Sequence, residues 1–218
     1  MIDLHTHTFF SDGELGLAEL ARRAEVAGYE VIGVTDHADG ANLELLLPRL
    51  VAAARELDGA MRIRVLAGVE LTHVPPRMIP AMITRARQLG AQYVVVHGET
   101  ITEPTAEGTN AAAIDGGADI LAHPGLLSLE DAQRAAARGV LLEITTRKGH
   151  AYTNGHVVTV ARAAGARLVI NNDAHDPADL VGPTQARRIA RGAGLSDGEI
   201  DACLRTAHEF VARLISTA

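Results

Sequence analysis

Nine side chains able to bind a metal ion each stand just past a short apolar run. His5 and His7 follow Met1-Ile2-Asp3-Leu4, with Asp12 close behind. His37 follows the run from Val31 to Val34, and Glu70 ends the run from Val65 to Val69. His97 follows Val94-Val95-Val96, His123 follows Ile120-Leu121-Ala122, and Asp173 and His175 follow Leu168-Val169-Ile170. Neutral imidazole and carboxylate brought to one place are the donors that Zn²⁺, Mn²⁺ or Fe²⁺ take. In a strand, residues i and i+2 point to the same side, so His5 and His7 can share one ion, and Asp173-Ala174-His175 repeats that spacing. One H-x-H alone also describes two ordinary histidines at a strand end. Here six of the ten histidines follow predicted strands this closely, and coincidence explains that poorly.

The elements that must position these donors alternate along the whole chain. Apolar, β-branched runs predict strands over about 2–6, 30–35, 62–70, 92–97, 119–122, 140–145 and 167–171. Between them, apolar residues at helical spacing predict helices over about 15–27, 42–57, 77–89, 109–115 and 129–138, and from about 154 to Gly165. Two more are expected at about 183–193 and from Ser196 onward. Gly28, Gly90, Gly139 and Gly165 stand where helices should end, Ser128 is a predicted N-cap, and Ser196 with Glu199 forms a capping box. Strand–helix alternation implies a parallel sheet. Donors after six of seven strands suit a closed ring better than an open sheet, whose functional loops gather at one switch point. The expectation is α/β: one domain over 1–218, a distorted (β/α)7 barrel with its metal site at the C-terminal rim of the strands.

Composition narrows the classes. At 218 residues, 47% hydrophobic and 22% charged, the chain has the balance of a soluble globular domain. A net charge of −7 argues against a general nucleic-acid binder, yet leaves room for a small phosphorylated substrate held by metals and an arginine. No apolar run approaches the roughly 20 residues of a membrane span, and no signal peptide precedes the first donor strand. A cytoplasmic enzyme is expected. Cys203, the one cysteine, excludes an intrachain disulfide and reads as a small buried hydrophobe.

In order and spacing, His5-Thr6-His7 with Ser11-Asp12-Gly13, Thr35-Asp36-His37, Gly68-Val69-Glu70, His97-Gly98, Ala122-His123-Pro124 and Asp173-Ala174-His175 resemble the motifs of the PHP (polymerase and histidinol phosphatase) family. The resemblance implies a distorted seven-stranded β/α barrel with a centre of two or three divalent ions (Mn, Zn or Fe). It also implies a grouping: His5, His7, Glu70 and Asp173 on one ion; Glu70 bridging to a second held by His97 and His123; Asp12, His37 and His175 on a third. Many family members have His where this chain has Asp12, which makes the third site more anionic and harder. The chemistry expected is hydrolysis of a small phosphomonoester, histidinol phosphate or nucleotide-like, by a metal-bridging hydroxide. The alternatives are a phosphodiesterase or 3′–5′ nuclease and, from a different class, a non-catalytic metal-binding scaffold.

Other residues are candidates on position alone. Arg147 lies past the sixth predicted strand, where its guanidinium can grip phosphate oxygens. Together with Asp173 and His175 it makes the expected catalytic set. Lys148, His150 and His156 are the further substrate-binding candidates, the two histidines flanking a predicted helix start on the same rim. Glu99 is a candidate partner for an imidazole. Asp36 points away from His37 and has a structural or outer role. The segment 98–108 has the composition of a lid.

Overall fold

Alternating inward and outward burial along the strands decides the architecture. In the computed structural model, which describes residues 1–216, β4 (Arg64–Leu71) sends Val65, Ala67 and Val69 to the outer core and Leu66 to the barrel interior. In β5 (Tyr93–His97), Val94 and Val96 face out, while Tyr93 and Val95 face in. In β7 (Leu141–Thr145), Leu142 and Ile144 face out and Leu141 faces in. The period of two puts Glu70, His97 and Glu143 on the interior side too, at or near the C-terminal ends of their strands.

The remaining strands are β1 (Ile2–Asp3), β2 (Val31–Val34), β3 (His37–Ala38), β6 (Ile120–Ala122) and β8 (Leu168–Asn171). Every pairing is parallel, in the order β1-β2-β4-β5-β6-β7-β8, with the short β3 pairing to β4 beyond the end of β2. A bridge between Thr6 and Ala174, with His7 N–H donating to the Ala174 carbonyl at 2.9 Å, brings the first and last strands together. The result is the expected seven-stranded, nearly closed parallel barrel. The first strand is shorter than the predicted 2–6, because the Leu4 and His5 N–H groups donate to the Asn171 and Asp3 side chains instead of to a neighbouring strand. The two-residue β3 is a further element too short to show periodicity.

Helices α1 (Leu17–Val26), α2 (Leu43–Ala60), α3 (Ile79–Gln88), α4 (Thr109–Gly116), α5 (Leu129–Arg138), α6 (Asn154–Ala164), α7 (Pro183–Gly192) and α8 (Asp197–Ser216) fall where the pattern placed them. The Ser128 hydroxyl accepts from the Asp131 N–H at 3.0 Å, and the Ser196–Glu199 box closes with Ser196 N–H donating to the Glu199 carboxylate at 2.8 Å. None of these helices is long and apolar enough to cross a membrane.

The interior of the barrel is divided. Its floor is apolar: Ile2, Leu4, Val31, Leu66, Tyr93, Val95, Ile120, Leu141 and Val169 pack together, and α8 plugs the opening with Ala207, Phe210 and Val211. The Tyr93 ring meets Phe210 edge-on at 5.9 Å and its hydroxyl donates to the Leu4 carbonyl at 2.9 Å. Two strand glycines make room for this ring. A Cβ at Gly33 would lie 1.9 Å from the Tyr93 hydroxyl oxygen, and one at Gly68 would lie 2.7 Å from its Cζ. Above Tyr93 the interior turns polar, and the site begins.

Candidate metal centre

Strand ends and the loops after them bring all nine expected donors together. His5, His7, Glu70, His97, His123 and Asp173 are buried; His37 and His175 are partly covered, and Asp12 reaches in from the loop after His7. His5 Nε2 is 3.4 Å from Glu70 Oε1 and 3.5 Å from Asp173 Oδ1, and His7 Nε2 is 3.2 Å from Asp173 Oδ1. His123 Nε2 stands 3.5 Å from Asp173 Oδ2 and 3.8 Å from Glu70 Oε1. Asp12 Oδ1 is 3.2 Å from His175 Nε2 and 3.4 Å from His37 Nε2. Donor atoms of His5, His7 and Glu70 lie within 4.8 Å of one another, as do those of His5, His123 and Asp173, and those of His7, Asp12, His37 and His175.

The structure gives its own test of whether these residues fit metal ions. Buried polar atoms almost always have partners. Yet His5 Nε2, both ring nitrogens of His7, Glu70 Oε1 and His123 Nδ1 are buried with no hydrogen-bond partner. Divalent ions are the species that converging lone pairs of imidazole and carboxylate satisfy together. Several imidazoles are also anchored by Nδ1 so that Nε2 faces inward. His5 Nδ1 sits 2.7 Å from Glu143 Oε2, and His175 Nδ1 sits 3.0 Å from the Asp173 carbonyl. A carbonyl and an ionised carboxylate only accept, so each Nδ1 carries a hydrogen, and each ring in its neutral form presents a lone pair at Nε2.

The protonation of these side chains shows how crowded the charges are. Burial pushes the Asp173 carboxyl up to about 7, with Glu70 adding to the shift against the opposing pull of His5. Burial disfavours charge on His37, but Glu70 and Asp12 outweigh it and raise His37 to about 10. Burial holds His7 and His123 well below the ordinary histidine range, each with help from neighbouring imidazoles. A backbone cost is added. His73, His123 and Asp173 are the non-glycine residues at positive φ among those described, at 52°, 26° and 54°. Such conformations cost of order 1–3 kcal/mol each and gather at functional sites.

Asp12, His37, His97, His123, Asp173 and His175 line a cavity of about 180 Å³ that also takes in Thr72, His73, Glu103, Arg147 and His150, while His5, His7 and Glu70 do not reach its wall. Arg147 Nη1 donates to Asp179 Oδ2 at 2.9 Å and to the Asp173 carbonyl at 3.1 Å, which fixes the guanidinium at the cavity wall. His150 is buried beside it, its Nδ1 2.8 Å from the Thr100 hydroxyl, and burial lowers it to about 4. Lys148 and His156 are not in this cavity. Lys148 is exposed. His156 is drawn away by the Leu127 carbonyl, 2.8 Å from its Nε2. Glu99 partners no imidazole: its carboxylate accepts the Asn110 N–H at 2.8 Å at the start of α4. Asp36 has a structural task, accepting from the Thr8 N–H, the Thr8 hydroxyl and the Ser11 hydroxyl at 2.7, 2.8 and 2.7 Å, which shapes the loop that carries Asp12.

Two carboxylates escaped the reading of the sequence. Glu143 lies under His5, fully buried, and accepts from the Asn171 amide at 2.9 Å as well. A lone acid inside Leu141-Leu142-Glu143-Ile144 was the signal for it. Glu103, in the loop after β5, had no such signal.

The profile of the PHP domain matches residues 3–145. The chain belongs to the PHP family. An uncharacterised protein of Methanocaldococcus jannaschii is 47% identical over 201 residues, covering 91% of this chain and 92% of that protein. The DNA polymerase/3′–5′ exonuclease PolX of Bacillus subtilis is 26% identical over 194 residues, covering 80% of this chain and 34% of that much longer protein. Among solved structures, the histidinol phosphate phosphatase of Lactococcus lactis, complexed with zinc, L-histidinol and phosphate, superposes with a TM-score of 0.63 at 18% identity, covering 89% of this chain and 94% of that one. A Listeria monocytogenes protein assigned as a histidinol phosphatase gives 0.60 at 14% identity, covering 85% of this chain and 99% of that one. These structural likenesses show that the PHP barrel is shared.

Proposed function

We propose that this PHP protein is a metal-dependent phosphatase that hydrolyses a small phosphomonoester, with two or three divalent ions (Mn, Zn or Fe) held by His5, His7, Asp12, His37, Glu70, His97, His123, Asp173 and His175. One observation carries the reading: buried, unpartnered atoms of His5, His7, Glu70 and His123 cluster with Asp173 at one side of a small cavity, whose wall also holds a fixed guanidinium. Bound divalent ions supply a nucleophile at neutral pH and positive charge against the phosphoryl oxygens.

The chain's own residues do the rest. Asp173, with Oδ1 toward His5 and His7 and Oδ2 toward His123, orders the donors of two groups at once. Glu70 does the same between His5 and His37, with its Oε2 2.6 Å from His37 Nδ1. Arg147, held by Asp179 through Nη1, turns Nη2 to a substrate oxygen and excludes water from that side. His150 is neutral and hydrogen-bonds the substrate from the β7 side. His175, with its Nδ1 hydrogen on the Asp173 carbonyl, keeps Nε2 beside Asp12 at the place where a leaving oxygen departs. The small volume and the −7 charge suit a monoester such as histidinol phosphate or a nucleotide. The likeness to an exonuclease supports a second reading, hydrolysis of a diester.

The test is initial hydrolysis rates of Mn²⁺-loaded protein on paired phosphomonoesters and phosphodiesters, histidinol phosphate included, with Asp173→Asn as the blank. Monoester turnover lost in the variant is expected. Preference for diesters would transfer the assignment to a nuclease or cyclic-phosphate hydrolase. No turnover above the blank with metal bound would favour a scaffold.

A further inference from the structure

We propose that Glu103 is a carboxylate ligand of the ion that His97 and His123 hold, so that the loop over 98–108 closes that site with an added oxygen donor. The proposal rests on the metal-centre reading above and goes beyond its nine donors. Glu103 Oε2 lies 3.1 Å from His97 Nε2 and 3.3 Å from His73 Nε2, and Oε1 lies 3.3 Å from His150 Nε2. One carboxylate thus reaches imidazoles from the ends of β4, β5 and β7.

Hydrogen bonding limits what can sit between Glu103 and His97 to a proton or a metal ion. His97 Nδ1 is 3.1 Å from the Gly98 carbonyl, which can only accept. Nδ1 therefore carries the hydrogen, and a neutral His97 presents a lone pair at Nε2. The ionised Glu103 presents lone pairs as well. A contact of 3.1 Å between such atoms is resolved either by a proton on Nε2 or by a metal ion that both atoms bind. For metal–ligand bonds of about 2.0–2.2 Å, neighbouring ligands stand about 2.8–3.6 Å apart in octahedral or tetrahedral spheres. The observed separation falls inside that range.

The loop is built to hold the carboxylate there. At its base, Glu99 N–H donates to the Asn110 side chain at 3.0 Å, and Asn110 donates to the Pro124 carbonyl at 2.9 Å. A Cβ at Gly125 would meet the Glu99 carbonyl oxygen at 1.7 Å, so the next loop closes tightly over this base. Nearer the tip, the Thr100 and Thr102 hydroxyls flank His150 Nδ1 at 2.8 and 3.1 Å, and Glu103's carbonyl accepts the Thr105 N–H at 2.9 Å. With Glu70, His97 and His123, Glu103 makes a set of two carboxylates and two imidazoles. That set is harder than one carboxylate with two imidazoles and shifts preference from Zn²⁺ toward Mn²⁺.

The experiment measures metal content by mass spectrometry and Mn²⁺ and Zn²⁺ affinity by calorimetry for the wild type, Glu103→Gln, Glu103→Asp, His73→Ala and His97→Ala. Each is melted in EDTA to verify folding; Glu103 lies in a partly exposed loop, so its variants should melt with the wild type. His97→Ala should lose one ion. Glu103→Gln should lose the same ion or bind it at least about tenfold more weakly, with a larger loss for Mn²⁺ than for Zn²⁺. Glu103→Asp keeps the charge but shortens the reach, so weakening there too marks direct ligation. His73→Ala should stay within about twofold, as for a contact outside the ligand set. Wild-type stoichiometry and affinity in Glu103→Gln, beside the loss in His97→Ala, overturns the role of Glu103 and leaves the metal centre standing. A wild type that binds no ion overturns both.

Discussion

The two ends of the barrel interior are made by the same strands and do opposite things. Along β4 the inward positions run Leu66, Gly68, Glu70; along β5 they run Tyr93, Val95, His97; along β7, Leu141 precedes Glu143. The first members of each series build an apolar floor sealed by Phe210 and Val211. The last members crowd ionisable groups into the same closed space. Burying apolar surface stabilises the fold, whereas burying charge and unpartnered polar atoms costs stability unless partners are supplied. The floor is therefore the part that folds the protein, and the upper half is the part whose cost bound ions would offset. The polar half also carries the strained backbone at His123 and Asp173.

This contrast can be broken by substitution on either side. The largest effect is expected for Asp173→Asn, which removes charge that orders two donor groups: several kcal/mol of charge stabilisation, or a loss of about 10³-fold or more in kcat. In EDTA the same variant should melt no lower than the wild type, because it removes a buried carboxylate. A lower melting temperature without metal would show that the polar half stabilises the fold. Phe210→Ala, in the floor, should do the reverse. Unfolding in urea should reveal a loss of about 3–5 kcal/mol, while metal stoichiometry at low temperature stays at the wild-type value.

A smaller effect is expected for Glu143→Gln. Glu143 fixes the His5 ring from below, and weakening that contact should lower metal affinity by about 10–100-fold without removing a ligand. Calorimetry checks this, and unchanged affinity would reduce Glu143 to a packing role. Smallest is His156→Ala. Its ring is turned to the Leu127 carbonyl, so kcat/KM should stay within about twofold of the wild type. A larger drop would return His156 to the substrate site.

Much of this was legible in the chain. Donors placed after apolar runs read out the rim, since a parallel barrel sends every strand end to one side. The i, i+2 spacing of His5 with His7 and of Asp173 with His175 survives in the structure as shared contacts. Alternation also separated Asp36, which braces the Thr8–Ser11 turn, from His37, which faces the cavity. What stayed hidden depends on loops. Arg147, Lys148, His150 and His156 were all candidates by position, but only tertiary contacts with Asp179, Thr100 and the Leu127 carbonyl decide how Arg147, His150 and His156 are turned. Glu103 follows no period, and its placement comes from Asn110 and Gly125 at the base of its loop. Glu143 was readable, because a carboxylate inside a buried strand needs a partner.

The central claim is that the polar half of the barrel is a metal centre, and anomalous diffraction from Mn²⁺-loaded crystals tests it most directly. The account predicts two or three anomalous peaks in the cavity, bounded by His5, His7, Glu70 and Asp173, by His97 and His123, and by Asp12, His37 and His175. Fully loaded crystals with no peak among these residues, or with ions only on the outer surface, would contradict it.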